Sequence, residues 1–182
     1  MLNLNRLTDK AKELGAKAAS PVEISKIRFS EEFRQLCEQN SCGNYGKNWM
    51  CPPAVGTYEE TTTKVMKYSD GVVFQTVYNL TDSFDFEGMT KAKDVHDEIF
   101  MNILDYVRSN TDEDFLALNV GNCKVCKECA YSEGKECRHP DRSFSSVEAH
   151  CIDVKDLLTT YGIPYINGVN TVSYVGLFLF KD

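Results

Sequence analysis

The chain has 182 residues, of which 42% are apolar and 26% charged, and its formal net charge is -7 at pH 7. This composition is that of a globular protein, and no apolar run approaches the roughly 20 residues of a membrane span. The acidic balance argues against a nucleic-acid partner, because nucleic-acid binding calls for a basic surface. Residues 1–17 are polar and lack the apolar core of a secretory signal, so we expect a cytoplasmic protein.

The first third of the chain predicts three helices. Ser30, which precedes two glutamates, predicts the N-cap of a short helix that leads into Cys37. Thr57 and Glu60 form a capping-box pattern, which predicts the start of another helix. An apolar stripe also predicts an N-terminal helix within residues 1–20, ended by Pro21. The stripe consists of Leu4, Leu7, Ala11, Leu14 and Ala18.

The middle of the chain alternates between strand and helix patterns. Residues Gly71–Tyr78 are β-branched and aromatic and predict a strand. Residues from about 87 to 108 carry apolar side chains at helical spacing, with His96 on the apolar face. A histidine in that place is more commonly structural than catalytic. Residues Phe115–Val120 predict a second strand, which ends at Gly121.

The last third begins with another capping-box pattern, at Ser145 and Glu148, which predicts a helix that ends at Gly162. The remaining predicted elements are a short strand at Ile163–Ile166, a turn at Asn167-Gly168 and a long apolar strand at Val172–Phe180.

These elements predict an α/β fold, with one mixed sheet and helices packed on it. We find no internal repeat and no Gly/Ser linker, so a single metal-binding domain over residues 1–182 is expected. Seven of the eight cysteines fall in two irregular segments. We call these the first cysteine loop (residues 37–53) and the second cysteine loop (residues 121–142). In a reducing cytosol, clustered cysteines favour metal binding over disulfides.

The second cysteine loop carries the strongest functional signal. Its cysteines have the spacing C-x2-C-x2-C-x7-C, and they are Cys123, Cys126, Cys129 and Cys137. Three thiolates at every third residue suit a 4Fe–4S cubane, with the fourth thiolate arriving later in the chain. Zinc is the alternative, although structural zinc sites usually pair two C-x2-C knuckles further apart.

Cations accompany this loop and would offset the negative charge of a cluster bound by four thiolates; equally, they could be solvated loop charges. They are Lys124, Lys127, Lys135, Arg138 and Arg142.

The first cysteine loop has only three cysteines, Cys37, Cys42 and Cys51, followed by Pro52 and Pro53. Three interpretations remain open. A cluster bound by three thiolates would leave one iron open to an exogenous ligand. A fourth protein ligand could come from His139, His150 or Cys151. Zinc could instead be bound by three cysteines and one histidine.

The eighth cysteine, Cys151, falls at helical spacing from Val147, Val154 and Leu158. Because free cysteine behaves as a small buried hydrophobe, core packing is favoured over ligation.

The segments YGKNWMCPP, CKVCKECAYSEGKECRHP and SVEAHCIDV together resemble a family of predicted metal-binding proteins from anaerobic prokaryotes. The resemblance runs from about Cys37 to the C-terminus. It implies iron–sulfur or other metal binding at the seven clustered cysteines, and it implies no particular reaction. It also implies that glycine is common at the position of Cys151, which weakens the case for that residue as a ligand.

Three functions are compatible with these patterns. The favoured one is an iron–sulfur protein of redox character that passes electrons to a partner protein or a small-molecule ligand. The second is an enzyme with an open iron in the first cysteine loop, for desulfurisation, sulfur transfer or dehydration, with Tyr45, Lys47 or His139 supplying a proton. The third is a zinc-stabilised interaction module without catalytic activity.

Overall fold

A computed structural model of the protein describes residues 2–181. Met1, which the predicted N-terminal helix included, lies outside the described residues. The helices and strands are α1 (Leu4–Glu13), β1 (Ala18–Glu23), α2 (Glu32–Glu38), α3 (Tyr58–Val65), β2 (Asp70–Asn79), α4 (Phe86–Asn110), β3 (Phe115–Leu118), α5 (Val154–Thr160) and β4 (Thr171–Phe180).

The four strands form one sheet in the order β1-β2-β4-β3. The predicted α/β fold, with helices packed on one sheet, is confirmed. All three strand pairings are antiparallel. Within residues 2–181, the one parallel pairing is an isolated bridge between Asn119 and Ser146, outside the four strands. The sheet is therefore antiparallel, whereas a mixed sheet was predicted.

Both faces of the sheet are covered, because alternate side chains of each strand enter different cores. On one face Val73 and Leu177 pack with α3 and α5. On the other face Phe74 and Phe178 pack with α1 and α4. Burial on both faces explains why β2 and β4 are nearly continuous apolar runs. None of the helices in the described residues has the length and apolar character that crossing a membrane would require.

The N-terminal segment differs from its prediction. The helix α1 ends at Glu13, because the chain then turns through Gly15, whose φ of 117° lies in a region that favours glycine. Residues Ala18–Glu23 form an edge strand paired with β2, although the sequence predicted the end of a helix there. Pro21 is compatible with an edge strand, because an edge residue can lack the N–H that a central strand requires.

Three further predictions of local structure are wrong, and in the first two the serine backbone is bonded to a distant segment. Ser30 does not cap α2, since its N–H donates to Cys151 O at 2.9 Å and Glu31 holds the N-cap position. The helix predicted to begin at Ser145 begins later, as α5, after the N-cap Asp153. The carbonyl oxygen of Ser145 accepts from the N–H of Asn119. The segment 163–166 is a loop.

The other predicted helices and strands are confirmed, including the complete capping box of α3, formed by Thr57 and Glu60. The turn predicted at Asn167-Gly168 lies instead at residues 169–170. The strand predicted at 115–120 ends at Leu118, and the helix predicted at about 87–108 is α4.

A buried chain of hydrogen bonds from α4 fixes the start of the second cysteine loop. The amide nitrogen of Asn119 donates to Asp97 Oδ1 at 2.9 Å, so its Oδ1 accepts from His96 Nε2 at 3.1 Å. His96 Nδ1 then accepts from Thr76 Oγ1 at 2.8 Å. Burial lowers the pKa of His96 to about 4, which keeps the ring neutral, as this tautomer requires. The backbone of Asn119 also bonds to Ser145 and Val147.

Replacement of this histidine, His96→Gln, is expected to reduce the acid sensitivity of folding. The pKa of His96 is about 4 in the folded protein, against an ordinary value of 6.5. The unfolded chain therefore binds more protons between these values, and stability falls as the pH drops through them. This residue should account for about 2 kcal/mol of lost unfolding free energy between about pH 7.5 and about pH 5.

Urea unfolding at both pH values, for the wild type and the variant, measures the difference. The exposed His139→Gln variant is the control for loss of a histidine. An equal pH dependence in the wild type and His96→Gln would contradict the prediction.

Candidate metal centres

The two cysteine loops, separated by about 70 residues of chain, lie side by side. Trp49 Nε1 donates to Lys135 O at 2.9 Å, and the Trp49 ring packs edge-to-face on Tyr131 with centroids 5.0 Å apart. Burial raises the pKa of the Cys51 thiol, and Asn48 opposes this through a hydrogen bond. The charges of Cys42, Cys123 and Cys129 raise it further, so Cys51 lies within electrostatic reach of the second loop.

The cysteines of the second loop share one cavity. Cys123, Cys126, Cys129 and Cys137 are all partly buried and free of disulfides. The same cavity is lined by Trp49 and Met50 of the first loop, which therefore covers it. The structure brings together the four residues that the spacing predicted as one ligand set.

The backbone of the second loop is shaped by two left-handed glycines. Gly121, with φ 67°, turns the chain away from the end of β3. Cys129 then starts a short 3-10 turn that ends at Gly134, with φ 65°. Lys135 N–H donates back to Ala130 O at 3.0 Å, which closes this turn and directs Cys137 toward the other three thiols.

Two polar side chains touch the thiols of this loop. The buried Ser143 Oγ lies 3.5 Å from Cys137 Sγ and 3.7 Å from Cys123 Sγ. Arg138 contacts the Cys126 thiol, while its guanidinium also pairs with Glu133 at 2.9 Å. Once a thiol loses its proton to bind metal, Ser143 and Arg138 would donate to its sulfur. Lys135 also pairs with Glu133, at 2.7 Å, so this carboxylate offsets part of the predicted local positive charge.

The first cysteine loop starts inside α2 and turns twice through glycines. Cys37 lies near the end of α2, whereas Cys42 is exposed. Gly43 and Gly46 have φ values of 71° and 69°. Gly46 N–H donates to Pro52 O at 2.8 Å, which closes the loop and brings Cys51 back toward Cys37.

Cys151 lies beside the first cysteine loop, in the turn before α5. It is fully buried, in agreement with core packing, but it has φ 58° and is not part of a helix. Burial raises the pKa of the Cys37 thiol, and the nearby Arg34 opposes the shift. The charges of Cys42, Cys51 and Cys151 raise the pKa of Cys37 further, so these three cysteines lie within electrostatic reach of Cys37.

The two histidines considered as ligands lie in different surroundings. His139 is exposed. His150 is fully buried, and its Nδ1 lies 3.3 Å from Ser146 O. Burial lowers the pKa of His150 to about 4, and its Nε2 has no hydrogen-bond partner in the described residues.

The residues considered as proton donors are also separated. Lys47 lines an open cavity of about 510 Å³ that also reaches Cys123, Cys126 and Cys129. Tyr45 lines a different cavity, beside Arg34 and Pro53.

Sequence reasoning missed Arg34 and Ser143, which both approach thiols. Arg34 precedes Cys37 by three residues, so both lie on one face of α2, and this spacing is a signal that could have found it. Ser143 follows Cys137 by six residues in irregular backbone, where spacing carries no such information.

Among residues 2–181, no group of three or more His, Cys, Asp or Glu side chains is arranged closely enough to hold a metal ion. The ligand chemistry of the cysteines is compatible with zinc and with an iron–sulfur cluster, since both bind thiolates.

Comparison with known proteins gives a family match over most of the chain. The family model described as predicted metal-binding protein (DUF2284) matches residues 20–180. No curated protein matches the chain. Among solved structures, epoxyqueuosine reductase in a crystal structure with an epoxyqueuosine-modified tRNA stem loop matches at 14% identity and a TM-score of 0.40. That match covers 96% of this chain and 44% of the reductase, so this chain spans less than half of the reductase's length.

Removing the aromatic side chain that joins the two loops, by Trp49→Ala, should loosen the second cysteine loop. The variant loses a hydrogen bond to Lys135 and an aromatic contact with Tyr131, together about 1–2 kcal/mol. We expect roughly tenfold faster tryptic cleavage within residues 121–142, measured by mass spectrometry of the fragments.

Tyr165→Ala, which removes a half-exposed aromatic from another loop, is the matched control and should leave cleavage in residues 121–142 unchanged. Equal cleavage rates in the wild type and Trp49→Ala would show that the contact does not hold the loops together.

Proposed function

The chain belongs to the DUF2284 family of predicted metal-binding proteins, and from this premise we propose that its metal is iron, bound as iron–sulfur clusters with a redox role. The observation that carries the proposal is the single cavity lined by Cys123, Cys126, Cys129 and Cys137, all of them free and partly buried thiols. This complete set of four sulfur ligands suits a 4Fe–4S cluster, which would supply one-electron redox chemistry.

The surrounding residues would adjust that cluster. Ser143 lies within hydrogen-bonding reach of two of the sulfurs and would donate its one hydrogen to a sulfur that is deprotonated. Trp49 covers the cavity and would limit the access of water. Hydrogen bonds to sulfur and restricted solvent access are both known to set cluster potentials.

Cys37, Cys42 and Cys51 would hold a second centre within the same domain. Cys51 interacts electrostatically with Cys123 and Cys129, so the two centres would be neighbours and could exchange electrons. The exposure of Cys42 gives the first centre an approach to the surface, where a redox partner protein would dock.

A small-molecule acceptor has an alternative place beside Cys123. An open cavity of about 210 Å³ there is lined by Lys93, Asp97, Lys124 and Arg142 as well as Cys123. Its cations outnumber its one carboxylate, which suits an anionic molecule. These features support an electron-transfer or reductase-type module as the function.

Metal analysis of protein purified without oxygen tests the proposal. We expect a brown protein with about eight irons and eight sulfides per chain, whose dithionite reduction gives reversible EPR signals. Cys126→Ser should lower the iron content by about four, because it removes one ligand of the complete set. Colourless protein containing zinc, or iron that dithionite cannot reduce reversibly, would rule the proposal out.

Ser143→Ala is expected to shift the midpoint potential of the second-loop cluster to a more negative value. In the structure the Cys123 and Cys137 thiols donate to Ser143 Oγ. With deprotonated sulfurs the hydroxyl would donate its one hydrogen instead, and such donors stabilise the more negative, reduced cluster. Potentiometric titration followed by EPR measures the shift.

Ser132→Ala is the control for this measurement, because Ser132 Oγ donates to the carbonyl of Cys129 at 2.8 Å and not to a sulfur. Equal potentials in Ser143→Ala and the wild type would exclude a role for Ser143 in setting the potential.

A further inference from the structure

A buried arginine without a carboxylate partner lies beside the first cysteine loop. Arg34 is only 7% exposed. Its Nη2 donates to Thr61 Oγ1 at 3.3 Å and to Ala149 O at 3.0 Å. Its Nε and Nη1 are buried and have no hydrogen-bond acceptor among residues 2–181. Burying a guanidinium in this state is strongly unfavourable unless an anion pairs with it.

Nearby carboxylates do not supply that anion. Glu31, Glu38 and Glu59 line the same cavity as Arg34. None of them accepts from Nε or Nη1 of the guanidinium. Among the described residues, Nε and Nη1 of this buried guanidinium therefore have no carboxylate partner, although acidic side chains line the same cavity.

Cysteine thiols, which become anionic when they bind metal, lie beside this arginine. Arg34 and Thr61 both contact the Cys151 thiol. Burial raises the pKa of the Cys37 and Cys151 thiols, and the charge of Arg34 opposes the shift in both. The backbone supports this arrangement at two points. Ser30 N–H donates to Cys151 O, and Arg34 Nη2 donates to Ala149 O, so the start of α2 is joined to the turn that carries Cys151.

The conformation of Cys151 adds to this. Its φ of 58° lies in the left-handed region, which residues other than glycine, asparagine and aspartate rarely adopt. Core packing alone gives a weak reason to place a cysteine there, since glycine fits the backbone without strain. A thiol that serves as a ligand gives a stronger reason.

We infer that Cys151 is the fourth thiolate of the first centre, together with Cys37, Cys42 and Cys51, and that Arg34 is the buried counter-cation of this centre. The inference rests on the proposed iron–sulfur function. A cluster with four thiolate ligands is anionic, and it would supply the charge that Arg34 lacks in its present surroundings. The first centre would then have no open iron.

The test compares Cys151→Gly with His150→Gln. Glycine suits the left-handed backbone at residue 151, so the first variant removes the thiol without straining the fold. His150→Gln removes the other buried candidate ligand from the adjacent position. Both variants and the wild type are purified without oxygen and analysed for iron content, EPR spectrum and thermal unfolding.

The wild type is expected to hold about eight irons and His150→Gln the same number. Cys151→Gly should lose between one and four irons, with a changed or missing signal for one of the two clusters, and should unfold at an unchanged or higher temperature in its metal-free form. The inference is overturned if Cys151→Gly keeps about eight irons and the wild-type spectrum, or if the loss occurs in His150→Gln instead. It is also overturned if the wild type holds one cluster and Cys126→Ser removes it, because the one cluster would then lie in the second cysteine loop and Cys151 would bind none.

A second pair of variants tests the counter-cation. Arg34→Met removes the charge with little change in volume, whereas Arg34→Lys retains it. The midpoint potential of the first-centre cluster should become more negative in Arg34→Met and stay close to the wild type in Arg34→Lys. Equal potentials in all three proteins would overturn the role of Arg34. A wild type without iron would refute the proposed function itself, which separates that failure from a failure of this inference.

Discussion

The pairing of β2 with β4 is the interaction on which the rest of the structure depends. Ten residues of each strand pair in antiparallel register, from Asp70 opposite Phe180 to Asn79 opposite Thr171. Because both faces of this pair are covered, its backbone hydrogen bonds are shielded from water and its side chains fill two cores. The positions of the two outer strands follow from the pairing of β2 with β4. β1 pairs along β2, and β3 pairs with the last four residues of β4.

The position of the second cysteine loop follows from that register. β3 ends at Leu118 opposite Leu177, and the next residue, Asn119, is held by side chains of α4 and by the backbone of residues 145–147. The loop therefore leaves a rigid point. The first cysteine loop is fixed differently, because Arg34 of α2 donates to Ala149 O and Ser30, just before α2, donates to Cys151 O. Two separate attachments to one core bring the cysteine groups together.

The two groups of thiols differ in their electrostatic surroundings. Beside the second loop, Arg138 touches a thiol but already pairs with Glu133, so its charge is partly offset. Beside the first loop, Arg34 is buried and lacks a carboxylate partner in the described residues. Solvent exposure, hydrogen bonds and charge all affect cluster potentials. Two proposed clusters in such different surroundings would therefore differ in potential, which is a condition for directional electron flow between them.

Local patterns in the sequence determined most of the elements and identified the four cysteines that we propose as the ligands of the second loop. The strand runs of β2 and β4, the α4 periodicity and the Thr57–Glu60 capping box depend on neighbours within a few residues, so they could be predicted. The spacing of Cys123 to Cys137 is local in the same sense. Tertiary structure decided what depends on distant partners. It made a strand of Ala18–Glu23 by pairing it with β2, and it used Ser30 and Ser145 in backbone bridges where caps were predicted. It also brought Arg34 and Cys151 beside Cys37, and Trp49 over the second loop. These contacts join residues far apart in the chain, and sequence spacing contains no information about which distant segments a common core will hold together.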